Sequence, residues 1–378
     1  MKKEWKGFLC GVLVTSLIFG MSLTVFADSV GKSISVVYRN IKIYADGSEL
    51  QTTDANGNKT EAFIYNGTTY LPVRGVAEAL GKSVAWDGKS SSVYLGWIPD
   101  ELRPSVTVST AEEFVKEIAS NKKIILKPGV YDLSSMNEGQ GLMLTGISNL
   151  TIEGAETGQT EFIVDSRYAQ IMNFIYCNSI TIKNIKAGHT PSEYECDAGV
   201  LLFDGCSDVS VSNSELYGSG SIGIILRNTS GFYGYDVDIN HCSLRALEIQ
   251  NSSNIVFQDA MIRDHEAYSN IVSIIGSDHV TFRNCDFKNN NNFLWGFFEQ
   301  SDSSDVLIED CRIENNSRKV DPSWENVNFF NVAGDNTGDS SKLVVRNTVL
   351  KGNKADLLTD DKTTVQFDNC TMSNNQWK

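Results

Sequence analysis

Three of the four histidines in this 378-residue chain, His189, His241 and His265, fall on or beside equivalent places of one internal repeat. His189, Gly218, His241, Asp264 and Asn289 hold the same place in successive units, and His265 follows one residue on. That spacing sets His241 and Asp264 one unit apart and His189 two units from His241. An imidazole beside a carboxylate can move a proton as general acid or base. Arg245 can bind or neutralise a sugar carboxylate with its planar fork of donors. The expected catalytic set is therefore His189, His241, Asp264, His265 and Arg245. Glu193, Tyr194, Asp197, Tyr217 and Glu266 lie close in sequence to the same corners, and Trp324 stands in a long loop. These are the expected substrate contacts, the aromatics by stacking on a sugar ring. The plainer expectation is that polar residues at such corners are turn formers on a solvated face.

What must position these residues is the repeat. "VTFRNCDFKNN" at 280–290 returns as "VLIEDCRIENN" at 306–316 and "VQFDNCTMSNN" at 365–375. The template is apolar–x–apolar–x–Asn/Asp–small–x–apolar. Its Asn/Asp falls on Asn184, Asn213, Asp236, Asp259, Asn284, Asp310, Asn347 and Asn369, at intervals of 29, 23, 23, 25, 26, 37 and 22. Apolar residues two apart face one side of a strand. An Asn or Asp then turns the chain, because its side chain bonds nearby backbone and tolerates a left-handed conformation. Units of this length hold two or three short strands each, and stacking them builds a parallel β-helix rising ~4.8 Å per coil. A leucine-rich repeat has a similar period, but its L-x-x-L-x-L-x-x-N pattern and its helical stretch are missing.

The Asn runs "KNNNN", "ENNSR" and "SNNQ" are expected to be turns and amide ladders. Two longer excursions, 187–199 and 317–342, interrupt the short turns, and loops on a rigid scaffold are where function concentrates. "DNTGD" at 335–339 offers oxygens to Ca²⁺ but lacks the twelve-residue calcium loop and its final Glu. No cofactor or metal is expected, calcium there being the one candidate. Strand alternation places Trp295 and Phe297 on one face.

With 32 Lys+Arg against 47 Asp+Glu the net charge is −15, which argues against nucleic acid and anionic membranes as main partners. Lys2, Lys3 and Lys6 precede a mostly apolar stretch at 8–23, and Val25-Phe26-Ala27 offers a cleavage site. Residues 1–27 read as a signal peptide. Its removal, with Glu4, takes the net charge to −17. The expected location is secreted or cell surface, with no membrane partner after cleavage. Of eight cysteines, Cys10 leaves with the leader. The odd remainder, without a CxxC, reads as buried thiols.

Residues 30–97 alternate as short strands around a helical stretch at 73–80, with Gly81 as its C-cap. "TTYLPVRGVAEALGKSVAWD" within it resembles the copper amine oxidase-like N-terminal domain, a stalk domain of exported bacterial proteins. The resemblance implies a spacer or wall-proximal module. The segment contains no histidine, so the usual copper ligand is missing. A linker at 98–108 leads to a coil at 109–378. Its opening, a capped helix and then "IILKPGVY", resembles the entry of parallel β-helix proteins, where the helix covers the open end. The right hand follows from resemblance to the pectate lyase-like superfamily. Pectate lyases of that group carry R-x-P-x-x-R and calcium-binding Asp clusters. Polygalacturonase-like hydrolases carry N-T-D, D-D, G-H-G and R-I-K. Only one Asp-Asp, at 360–361, is found here. The expected fold is mainly β: a right-handed parallel β-helix preceded by a small α+β stalk domain. The expected function is binding of a polysaccharide or cell-wall glycan, or service as a rigid surface module. The alternative is a carbohydrate-active enzyme, a polysaccharide lyase, glycoside hydrolase or epimerase.

Overall fold

The computed structural model describes residues 33–45, 47–54, 57–155, 159–191, 197–218, 220–291, 295–318, 327–333, 342–359 and 363–377. The signal segment 1–27, Glu193, Tyr194, Trp324 and the stretches 335–339 and 360–361 lie outside them. The chain divides into two compact units, one ending at Gly81 and one starting at Lys82. That division falls inside the 30–97 segment.

The first unit pairs Phe63–Tyr65 with Thr68–Tyr70 in a hairpin. Asn66 and Gly67 turn it with φ of 48° and 75°, the left-handed pair that a two-residue hairpin loop requires. Helix α1 (Val73–Ala79) follows, and Gly81 closes it at φ 69°, its N–H donating to the Glu78 carbonyl. A methyl group on Gly75 would sit 2.4 Å from Thr52, so the helix packs directly against the chain at Thr52.

The second unit starts with the hairpin Val84–Asp87/Ser92–Leu95 and continues into a parallel solenoid. Helix α2 (Ala111–Glu117) covers its open end. Thr110 caps this helix by accepting from Glu113 N–H, and Glu113 reaches back to Ser109 N–H. Fully buried Phe114 presses on Phe162 at 5.0 Å between ring centres. Tyr131 of the "KPGVY" turn is also buried, and its hydroxyl donates to the Val108 and Lys127 carbonyls.

Each coil has three faces. The first is an eight-stranded parallel sheet running from Leu142–Thr145 to Phe330–Ala333. The second and third belong to one nineteen-stranded sheet. One coil reads Val272–Ile275, then Asp278–Arg283, then Asp286–Lys288. Apolar side chains alternate inward. Phe174, Phe203, Phe232, Phe257 and Phe282 stack in a row with ring centres 4.9 to 5.9 Å apart, close to the rise of one coil.

The eight Asn/Asp corners all turn left-handed, with φ between 47° and 58°. The residue after each corner points inward, which makes Cys285 and Cys311 a buried pair one coil apart. Cys285 N–H donates to Cys311 Sγ at 3.3 Å, and Cys311 N–H to Thr348 Oγ1 at 3.2 Å. These thiols serve as acceptors in a ladder that hydroxyls continue. The six described cysteines are all free. A reducing agent is therefore expected to leave the melting temperature unchanged; a fall on reduction would contradict that thiol state.

Candidate functional site

A further corner ladder follows the third face. His241, Asp264, Asn289, Asn315 and Asn374 turn there with φ of 54° to 57°, and Gly352 fills the same place at 67°. His241 and Asp264 thus stand where later coils use Asn or Gly. The next residue points inward again, and in later coils it is Asn290, Asn316 and Asn353, all fully buried. Each of these amides accepts backbone N–H from the preceding coil and donates to a carbonyl: Asn290 takes His265 N–H and gives to Ile262 O, and Asn316 takes Asn290 N–H and gives to Phe287 O.

His265 occupies this ladder. It is fully buried, its Nδ1 accepts Cys242 N–H at 3.0 Å, and its Nε2–H donates to the Ile239 carbonyl at 3.1 Å. Burial pushes its pKa down to about 4, so the ring is neutral. The expectation that His265 belongs to a catalytic set is corrected: it does the work of an asparagine amide inside the coil.

His189 is likewise buried. Its Nε2 lies 2.8 Å from the Ala169 carbonyl, and burial lowers its pKa. The turn above it must be glycine-rich, since a methyl on Gly220 would lie 2.6 Å from His189 Nδ1. Arg245 stands at the start of a first-face strand and is engaged by Glu248 (3.3 Å) and Ser269 (2.9 Å). Tyr217 is held by Glu161 (2.7 Å) under the Lys186 ammonium, so it is no open stacking surface. Asp197 is exposed and tied through its backbone to Arg167 and Ser221.

His241, Asp264 and Glu266 do converge. With Cys242, Ser243, Asn289 and Asn291 they line an open cleft of about 330 Å³ on the turn between the third and first faces. Asp264 is partly buried, which raises its pKa, but Arg263 at 2.7 Å and the Asn289 amide at 3.2 Å outweigh this. The net shift is downward, so Asp264 is a fixed anion rather than a proton donor. Arg263 is shared with Asp238, also at 2.7 Å. His241 Nδ1 lies 2.7 Å from Asn240 Oδ1. Sequence spacing had reached Asn289 but missed Ser243, Asn291 and Arg263, because nothing local marks a side chain that only the next coil completes.

Two exposed aromatics leave the same turns. Tyr268 is 59% and Trp295 50% exposed, and Tyr268 N–H bonds the carbonyl of cleft residue Ser243. Trp295 does not share a face with Phe297, which corrects the same-face reading from strand alternation. The strand begins at Phe298, and Gly296 at φ 132° swings Trp295 outward while Phe297 is buried. Among the described residues no three His, Cys, Asp or Glu side chains form a metal-holding group, and no helix is long and apolar enough to cross a membrane.

Residues 198–371 match the family described as right handed beta helix region, and residues 21–131 match the copper amine oxidase N-terminal domain. This is a right-handed β-helix protein with a copper amine oxidase N-terminal domain. No curated protein matches the sequence. Among solved structures, the β-helix protein is similar to an alginate lyase from Paenibacillus sp. str. FPU-7, at 13% identity and TM-score 0.47, over 73% of this chain and 98% of that one. It is similar to the A-module of the mannuronan C-5 epimerase AlgE4 of Azotobacter vinelandii, at 10% identity and TM-score 0.41, over 72% and 97%. Pectate lyase Bsp165PelA from Bacillus sp. N165 aligns at 13% identity and TM-score 0.42, over 71% and 82%. These scores bear on neither the ligand nor the reaction of this β-helix.

Proposed function

We propose that the β-helix is an exported glycan-binding module that holds a sugar chain against the flank cleft of His241, Asp264 and Glu266. The observation that supports this best is the make-up of that cleft. It combines carboxylate acceptors, the two-way amides of Asn289 and Asn291, and a serine, beside turns that carry exposed Tyr268 and Trp295. Sugar hydroxyls both donate and accept, and sugar faces stack on aromatic rings, so such a set suits a polyhydroxylated chain. Binding is favoured over catalysis because the other members of the expected catalytic set are occupied. His189 and His265 are buried in backbone contacts, and Arg245 is paired. The first unit serves in this reading as a spacer at the cell surface.

Glycan-array binding tests the proposal. Trp295→Ala and the double variant His241→Ala/Glu266→Gln are each expected to weaken binding about tenfold, the size of one lost stacking contact or a pair of hydrogen bonds, with the melting temperature unchanged. Full binding by both variants would overturn it. The enzymatic alternative keeps one observation in its favour, the shared cleft of an imidazole and two carboxylates. New unsaturated or reducing ends released from bound polymer, and lost in Asp264→Asn, would establish that reading instead.

A further inference from the structure

The outer side of the first face carries a second polar cluster, independent of the glycan cleft. Glu248 is 94% buried by the measure of its 6% exposure, and two guanidinium groups share its carboxylate: Arg227 at 2.7 Å and Arg245 at 3.3 Å. Strand register explains the meeting. Arg227 stacks on Gln250, two residues beyond Glu248, and Arg245 begins the same strand. One rung further on, in line with Arg245, stands Asn270, which is 1% exposed. Ser269 Oγ accepts from Arg245 and donates to Asn270 Oδ1, so these groups form one connected patch.

Three buried polar atoms of this patch lack a hydrogen-bond partner: Arg227 Nε, Arg245 Nε and Asn270 Nδ2. All three are donors. A buried donor left unpaired costs about 1–3 kcal/mol, and native proteins leave few of them. A surplus of buried donors around one shared carboxylate is a demand for further acceptor oxygens. The Arg227 side chain is 41% exposed and gives solvent a way in.

We propose that the Arg227–Glu248–Arg245 patch is an oxyanion site, which takes a group with two or more acceptor oxygens, such as the carboxylate of a sugar acid or a sulfate. Glu248 is the resident competitor. It occupies both guanidinium groups when no ligand is bound, and an incoming oxyanion shares them with it and satisfies the idle Nε–H and amide donors.

The test uses the whole exported chain and titrates it with sodium sulfate, D-glucuronate and, as a neutral control, glucose, at constant ionic strength. Calorimetry or a rise in melting temperature reads binding. Sulfate and glucuronate are expected to bind and glucose not; glucuronate alone would assign the site to a sugar acid, sulfate alone to an inorganic or ester sulfate. Arg227→Gln, at the exposed edge, is expected to weaken binding about tenfold or more, the loss of one charge-assisted hydrogen bond. Glu248→Gln is expected to strengthen it by a similar factor, because the competing charge is gone. A merely structural ion triad predicts no such gain. Absence of binding by either oxyanion, or affinities untouched by Arg227→Gln and Glu248→Gln, would overturn the proposal.

Discussion

Replacing His265 with leucine is expected to destabilise the second unit by about 2 to 4 kcal/mol, whereas asparagine there is expected to stay within about 1 kcal/mol of the parent. The ring satisfies Cys242 N–H and the Ile239 carbonyl in a site without water access, and leucine would leave both unpaired. Asparagine is what the next three coils use for the same task, at Asn290, Asn316 and Asn353. The pH dependence follows with a definite sign. His265 falls from an ordinary 6.5 to about 4 in the fold, so the folded chain resists a proton that the unfolded chain accepts. Its contribution is fully present above pH 6.5 and is lost as the pH falls toward 4, in all about 3 kcal/mol. Buried His189, also shifted down, acts in the same direction. Denaturant unfolding of the parent and His265→Asn, at about pH 7 and about pH 4.5, isolates the His265 part. Equal pH slopes for the two chains would refute the ladder assignment.

The second large effect is expected at Asn316. Its Oδ1 accepts from Asn290 N–H at 3.0 Å and Asn290 Nδ2 at 2.8 Å, while its Nδ2 donates to the Phe287 carbonyl and Asn353 Oδ1, both at 3.0 Å. Asn316→Leu breaks all four in a dry interior and is expected to cost about 3 to 5 kcal/mol. Its sequence neighbour Asn315 is exposed and does a different job, holding a corner at φ 57°. Asn315→Gly is expected to change stability by no more than about 0.5 kcal/mol, since glycine takes that conformation freely and Gly352 already does so one coil on. Urea unfolding of the two variants separates the roles; similar losses from both would show that the pair is not divided into corner and ladder.

Much of the coil was legible because its corners repeat a chemical requirement. Asn184 through Asn369 can be aligned by eye, and every one of the eight turns left-handed. The compact slot after that corner, with Cys285 above Cys311, was equally readable. The same rule one corner later sends His265 inward, but there the pattern is hidden, since histidine replaces asparagine and aspartate replaces the corner before it. Spacing thus placed His241, Asp264 and Glu266 on one flank, where the cleft lies, while it left open which side of the wall each ring takes. Arg245 was unreadable for another reason. A long side chain can take partners on its own strand or on the next coil, and Arg245 takes one of each, Glu248 and Ser269. Trp295 depended on a single glycine that breaks the strand before alternation can apply.

The left-handed corners also say where this protein can change. A slip of one residue would push branched residues such as Ile185, Val237 or Thr348, each next to a corner, into left-handed conformations at a cost of about 1–2 kcal/mol each, along the whole stack at once. Three walls of the coil are therefore locked to one another in length. The turn from the third face to the first is not: it takes few residues after Tyr217, more after Arg263, and many after Glu314. The flank cleft opens on this seam. Ligand preference can then drift by lengthening or trimming one edge of the rod, while the lattice of corners that keeps it folded stays untouched.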